Sequence, residues 1–261
     1  MMISKLEIMK YRNGVRQTLV DDLVTELKLT IAYQKRELTT VLCSPSDIED
    51  LAAGYLYTSG LLSKTDITSI QFDREKGVVQ FDLTDDAPIK EMILSKLEPV
   101  GCGGGKMVFF KNDKKRSELP EVTVNAERIG ILMNEFNSES AVFKTTGGVH
   151  SAAISDGNSI LVFREDIGRH NAVDKVIGHM YLLRQPVNDK ILLTSGRISS
   201  EIVMKIANCD ISVIISRSAP TLRAVELAVE NGMTLIGFAR GGNFNIYCNP
   251  QRVVFEKKLT D

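Results

Sequence analysis

The chain has 261 residues, with 32 Lys+Arg against 33 Asp+Glu and a formal net charge of -1, so it lacks the basic excess of a general nucleic-acid binder. Hydrophobic residues make up 43% and charged residues 25%, which excludes wholesale disorder and suits one large or two modest domains. No apolar run approaches the roughly 20 residues that cross a bilayer, and the charged N-terminus MMISKLEIMKYRNGVR has no signal-peptide core, so the expected compartment is the cytoplasm.

The first half reads as α+β. LKLTIAYQKRELTTVLC predicts two strands around a polar turn at Gln34–Arg36. A helix follows in SPSDIEDLAAGYLYTSGLL, capped by Ser44 or Ser46, with Ile48, Leu51, Ala52, Tyr55 and Leu56 at helical spacing and Gly60 at its end. SIQFDREKGVVQFDL predicts a hairpin turning near Glu75–Gly77, and IKEMILSKL a short helix leading into PVGCGGGK.

The rhythm changes at Val122–Asn125, the expected domain boundary. AERIGILMNEFN predicts an amphipathic helix, and TGGVHSAAI and SILVFRED predict strands joined at Ser155–Asn158. NAVDKVIGHMYLLR places Val173, Val176, Ile177 and Met180 on one helical face. ILLTSG and SVIISRS are buried-type strands alternating with the helices SSEIVMKIANC and SAPTLRAVELAVENG, the latter expected to be capped by Ser218. TLIGFARGG and FNIYCNP close the chain as strands. The expected fold is therefore α/β: a smaller N-terminal α+β domain over residues 1–124, and a C-terminal three-layer domain with a central sheet over residues 125–261.

Four cysteines occur, with no CxxC and no Cys/His pair at metal-ligand spacing. Cys43, Cys209 and Cys248 sit in apolar runs and are expected to pack. Cys102 stands in Val100-Gly101-Cys102-Gly103-Gly104-Gly105-Lys106, where glycines disfavour helix and strand. It is either an exposed thiol, its thiolate favoured by Lys106, or an incidental cysteine in a flexible linker.

Two further clusters could carry chemistry. Arg164-Glu165-Asp166-Ile167-Gly168-Arg169-His170-Asn171 is either a solvated loop with Asn171 as a helix cap or a site with Arg169 and His170 at a helix N-terminus. Ser195-Gly196-Arg197, Arg217-Ser218 and Gly241-Gly242 each follow a strand. Their convergence on one sheet end would suit an anionic ligand. His150, on an apolar strand, is expected to be a core histidine.

Taken together, TTGGVHSAAI, FREDIGRHNAVDKVIG, LLTSGRISSEIVMKIA, SRSAPTLRAVELA and TLIGFARGGNFNIY, with CSPSDIEDLAAGYLYTSGLL before them, resemble the formate dehydrogenase accessory sulfurtransferase family (FdhD). The resemblance runs from about Leu27 to about Val253. It implies a homodimeric sulfur carrier that accepts sulfur from a cysteine desulfurase as a persulfide on Cys102. The sulfur then passes to the molybdenum cofactor, bis-molybdopterin guanine dinucleotide, before that cofactor enters formate dehydrogenase. It also implies a cytidine-deaminase-like second half, although the His-x-Glu and PCxxC elements of a zinc deaminase are absent and no metal site is expected. Phe238, Ala239, Arg240, Gly241, Gly242 and Asn243 correspond to the family's cofactor-binding stretch. Arg164, Arg169, His170 and Arg197 are secondary pocket candidates. The family pattern Cys-Gly-x-Cys-Gly is broken here, since Gly105 stands at the second cysteine. The alternative reading is a chaperone that delivers the cofactor without relaying sulfur.

Overall fold

A computed structural model describes residues 2–63, 65–94 and 119–256. Cys102 and its glycine loop lie outside the described residues. The chain opens with a two-stranded ribbon, β1 (Ile3–Arg12) and β2 (Val15–Val24). A four-stranded sheet follows in the order β4-β3-β6-β5, built from β3 (Leu27–Tyr33), β4 (Arg36–Cys43), β5 (Ile67–Asp73) and β6 (Val78–Leu83). Helix α1 (Ile48–Thr58) packs on that sheet through Leu51, Ala52, Tyr55 and Leu56, and α2 (Ala87–Leu94) follows β6. The turn and hairpin expectations for this region hold: Gln34 and Lys35 take positive φ, as does Gly77.

The second half begins with the short strand β7 (Val124–Asn125), where Asn125 caps α3 (Ala126–Glu139) by accepting from Glu127 N at 2.8 Å. After α4 (Ala141–Thr146), six strands form one sheet in the order β13-β12-β11-β10-β8-β9. They are β8 (His150–Ser155), β9 (Ile160–Asp166), β10 (Ile191–Thr194), β11 (Val213–Ser216), β12 (Thr234–Arg240) and β13 (Asn243–Cys248). Helices α5 (Arg169–Leu182), α6 (Ser200–Ala207) and α7 (Leu222–Glu230) connect them, and β14 (Val253–Val254) pairs with β7.

Side-chain alternation along these strands produces the three layers. Ile154, Leu192, Ile214 and Leu235 face α5, α6 and α7, whereas Ala153, Leu193, Ile215 and Ile236 face α3. Cys43, Cys209 and Cys248 are buried, and burial raises all three thiols, Cys43 to about 12. Among the described residues, no helix is long and apolar enough to cross a membrane.

The two halves meet where α1 crosses α5 at backbone contact. A Cβ placed on Gly54 would lie 1.8 Å from Asp174 O, and one on Gly178 would lie 1.8 Å from Asp50 O. Around this crossing run two buried ion pairs. Asp166 Oδ2 is 2.8 Å from Lys175 Nζ and also accepts from Ser44 N at 2.9 Å, while Asp166 Oδ1 accepts from Gly168 N and Asn171 Nδ2. Lys205 donates to both Asp174 oxygens at 2.7 and 2.8 Å and to Thr58 Oγ1 at 2.9 Å. Each pair is satisfied from both halves, the condition under which buried charges are tolerated.

Candidate functional site

Strands β10, β11 and β12 run parallel, so their C-terminal ends share one edge of the sheet. Antiparallel β8 starts at that same edge. This places the ends of three strands and His150 around one cavity of ≈ 340 Å³, within the few-hundred-Å³ range of small-ligand clefts. Its wall includes Ser140, His150, Ser195, Arg217, Ser218 and Arg240 and, among the described residues, no carboxylate.

The strand-end loops are tied to one another. Ser195 Oγ accepts from Ser151 N at 2.9 Å, and Ser195 N donates to Ser151 O at 3.0 Å. Ser216 Oγ donates to Gly196 O at 2.7 Å and accepts from Ser218 N at 2.9 Å. Arg217 N donates to Thr194 O, and Arg240 Nε donates to the backbone O of Arg217 at 2.9 Å, which ties the Arg240 side chain to the loop that carries Arg217. Glu165 forms the opposite wall indirectly. Its carboxylate accepts from Val142 N and Phe143 N, each at 3.1 Å, and so fixes α4 and the Gly147–Gly148 turn against the cavity.

His150 is half-buried, with Nδ1 3.4 Å from Ser195 Oγ. Burial, then Arg169 and Arg197, hold its pKa below the ordinary histidine value. His170, in the first turn of α5, is pushed down to about 3 by burial, with Lys205 and Arg169 adding to the effect. Its Nε2 lies 3.0 Å from Glu201 Oε2 without hydrogen-bond alignment. Of the two histidines, only His150 lines the cavity, and the nearby Arg169 and Arg197 make a field that favours an incoming anion.

The sequence-predicted residues separate in the fold. Arg240 lines the cavity; Arg169 and Arg197 act on His150 from beside it. Arg164 turns away, to Asp50 Oδ2 at 2.9 Å and Asp47 Oδ1 at 3.3 Å, with His179 beside it. It therefore braces β9 against α1. Ala239 is buried in the core, and Gly241 and Gly242 take positive φ in the β12–β13 turn beside exposed Asn243. Phe238 is 45% exposed with φ 53°, a conformation costing about 1–3 kcal/mol in a non-glycine residue. It sits where the β12–β13 register slips between Gly237 and Arg240.

Three expectations at this end of the sheet need correction. His150 is not a core histidine: as the first residue of an antiparallel strand, it emerges at the end where β10–β12 finish. Thr221, not Ser218, caps α7 by accepting from Ala224 N. Residues 218–221 are instead occupied in bridging, with Phe238 N donating to Ser218 O and Ile198 N to Ala219 O. That later helix start leaves Arg217 and Ser218 at the cavity. Likewise Asn171 lies inside α5, where its amide donates to Leu42 O.

Comparison with known proteins gives a consistent picture. The family model of the FdhD/NarQ family matches residues 24–254. The sulfur carrier protein FdhD of Staphylococcus haemolyticus (strain JCSC1435) is 40% identical over 250 residues, covering 94% of this chain and 95% of that protein. That of Staphylococcus aureus (strain MRSA252) is 39% identical over 256 residues, covering 95% of each. A crystal structure of a protein assigned as a formate dehydrogenase accessory protein, from Desulfotalea psychrophila, superposes with a TM-score of 0.78 at 24% identity, covering 97% of this chain and 100% of that one.

Proposed function

The chain belongs to the FdhD/NarQ family, and from that premise we propose that it is a sulfurtransferase serving formate dehydrogenase maturation. It takes sulfur from a cysteine desulfurase onto Cys102 and passes it to the molybdenum cofactor, bis-molybdopterin guanine dinucleotide, which is its substrate. It works in the cytoplasm as a homodimer, before the cofactor enters formate dehydrogenase. The observation that carries this reading is the strand-end cavity, lined by Arg217, Arg240 and His150 and, among the described residues, by no carboxylate. Such a wall takes the phosphates of a guanine nucleotide end through guanidinium forks and serine hydroxyls.

In the loading step, the Cys102 thiolate attacks the terminal sulfur of the desulfurase persulfide. The desulfurase S–S bond breaks, its cysteine leaves as a thiolate, and the persulfide is now on Cys102, with no net oxidation. One cysteine suffices for this step, so Gly105 at the second position does not block it. Lys106 favours the attacking thiolate.

The test is rescue of formate dehydrogenase activity in a strain deleted for its own carrier of this family. The wild-type chain restores activity and Cys102→Ala does not. Equal rescue by both would instead favour a chaperone that delivers cofactor without relaying sulfur, the reading to which Gly105 lends weight.

A further inference from the structure

The N-terminal ribbon is anchored to the fold at its base, where Val24 packs beside Gly148 and β2 touches α4. Strands β1 and β2 pair along their whole length from Ile3↔Val24 to Arg12↔Val15, and among the described residues no third strand joins them. Every residue from Met9 to Thr18 is exposed, although a lone two-stranded hairpin is marginal in water. The two rungs beside the Asn13-Gly14 turn lie on opposite faces. Each sets an apolar side chain next to an arginine: Tyr11 opposite Arg16 on one face, Val15 opposite Arg12 on the other. Met9 shares the first face and Lys10 the second. Met9 and Tyr11 are each 69% exposed, and Val15 is 66% exposed.

Charge along the ribbon is segregated. The distal half, Ile8–Leu19, carries Lys10, Arg12 and Arg16 and no carboxylate. The proximal half, Ile3–Glu7 with Val20–Val24, carries Glu7, Asp21 and Asp22 against a single cation, Lys5, which lies 3.7 Å from Asp22. The tip is therefore cationic and apolar on both faces, and the base is acidic.

From this pattern we propose that the ribbon tip is a peripheral docking site for an anionic lipid surface. A protein partner covers one face of a ribbon, whereas a bilayer interface surrounds an inserted tip on both faces, and both faces here carry apolar and basic side chains. Met9, Tyr11 and Val15 enter the headgroup boundary, where an amphipathic tyrosine ring is favoured. Lys10, Arg12 and Arg16 lay their aliphatic stems along the apolar zone and hold their charges at the lipid phosphates. Met9 stands three residues from Arg12 at the turn, about 10 Å along a strand, which matches the roughly 5–10 Å that an interfacial apolar face sinks. Glu7, Asp21 and Asp22 repel the same surface and so limit contact to the tip. The proposal rests on the ribbon alone and stands or falls independently of sulfur transfer.

Vesicle binding by the full chain tests it. Wild type is expected to sediment with vesicles of equal parts phosphatidylcholine and phosphatidylglycerol, and to stay in solution with phosphatidylcholine alone. Each basic residue near an anionic surface is worth about 5-fold in affinity, so a variant carrying Lys10→Gln, Arg12→Gln and Arg16→Gln is expected to bind roughly 100-fold more weakly. The chain has no Trp, so Tyr11→Trp gives a single fluorophore at the tip of an otherwise unchanged protein. Its emission is expected to shift to the blue with the anionic vesicles, and to return as salt is raised from about 0.1 to about 1 M and the Debye length falls from about 10 to about 3 Å. Leu222→Trp, at a residue 76% exposed on α7, is expected to show no shift. Wild type that stays in solution with the anionic vesicles, or that sediments equally with both kinds, would overturn the proposal. So would a neutralised variant that binds like wild type, or a Tyr11→Trp emission that does not move or moves no more than that of Leu222→Trp.

Discussion

At the cavity rim, Arg240 Nε donates to the backbone oxygen of Arg217, a bond that Arg217→Ala keeps, so loss of either side chain removes one cation from the rim without freeing the other. A hydrogen bond to a charged partner contributes about 1.5–3 kcal/mol, which predicts a roughly 10- to 100-fold loss of GDP affinity for Arg217→Ala or Arg240→Ala by calorimetry. Unchanged affinity would remove the cavity as the nucleotide site. His150 adds a pH dependence with a defined sign. Burial, Arg169 and Arg197 depress its pKa in the free protein, and a bound phosphate would favour the imidazolium. Binding therefore takes up a proton, and GDP affinity rises as pH falls through the ordinary histidine value of about 6.5. His150→Gln flattens that profile. An affinity that falls as the solution is acidified would contradict the assignment.

His170 acts on the fold rather than on the ligand. With its folded pKa pushed down to about 3, the unfolded chain binds the extra proton between that value and about 6.5. The stability held by the neutral ring is complete above this window and is lost as pH falls through it. Urea midpoints are expected to decline more gently with acid in His170→Gln than in wild type; identical slopes would show that the ring is as easily protonated in the fold as outside it.

Among the elements, the α1–α5 crossing is the most constrained. A methyl group at Gly178 meets backbone oxygen rather than a side chain that could move. Overpacking of this kind typically costs about 1–3 kcal/mol, and a rigid backbone obstacle puts Gly178→Ala at or above the upper end. Chemical denaturation reads it directly, and a near-wild-type midpoint would mean that the helices are not in backbone contact. This crossing also reinterprets the longest motif of the chain. Arg164, Glu165, Asp166, Asn171, Asp174 and Lys175 read in sequence as a charged functional loop, yet they brace β9, cap α4 and join the halves. Sequence could not separate these roles, because the partners of Arg164, Asp166 and Asn171 lie more than a hundred residues upstream.

What was legible followed local rules. Buried β-branched runs marked β10 and β11, and Gly/Ser/Arg following each strand marked the cavity edge. Among the longer elements, two escaped. The ribbon carries Asn13-Gly14, with φ of 49° and 85°, the turn chemistry of a tight hairpin, but charged residues on both of its faces erase the alternation that signals a half-buried strand. Helix α4 has six residues and no apolar periodicity; it depends on Glu165, more than twenty residues away.

For the whole molecule, the interlocked halves give the cavity fixed walls, while the proposed sulfur donor chemistry rests on Cys102. The two are coupled only if Cys102 carries the sulfur that the cavity's ligand receives. Intact-mass analysis of the chain after incubation with a cysteine desulfurase and cysteine tests that claim most directly. A gain of one sulfur atom is expected on the wild-type chain, removed by thiol reductant and absent from Cys102→Ala; the same gain retained in Cys102→Ala would rule out Cys102 as the carrier.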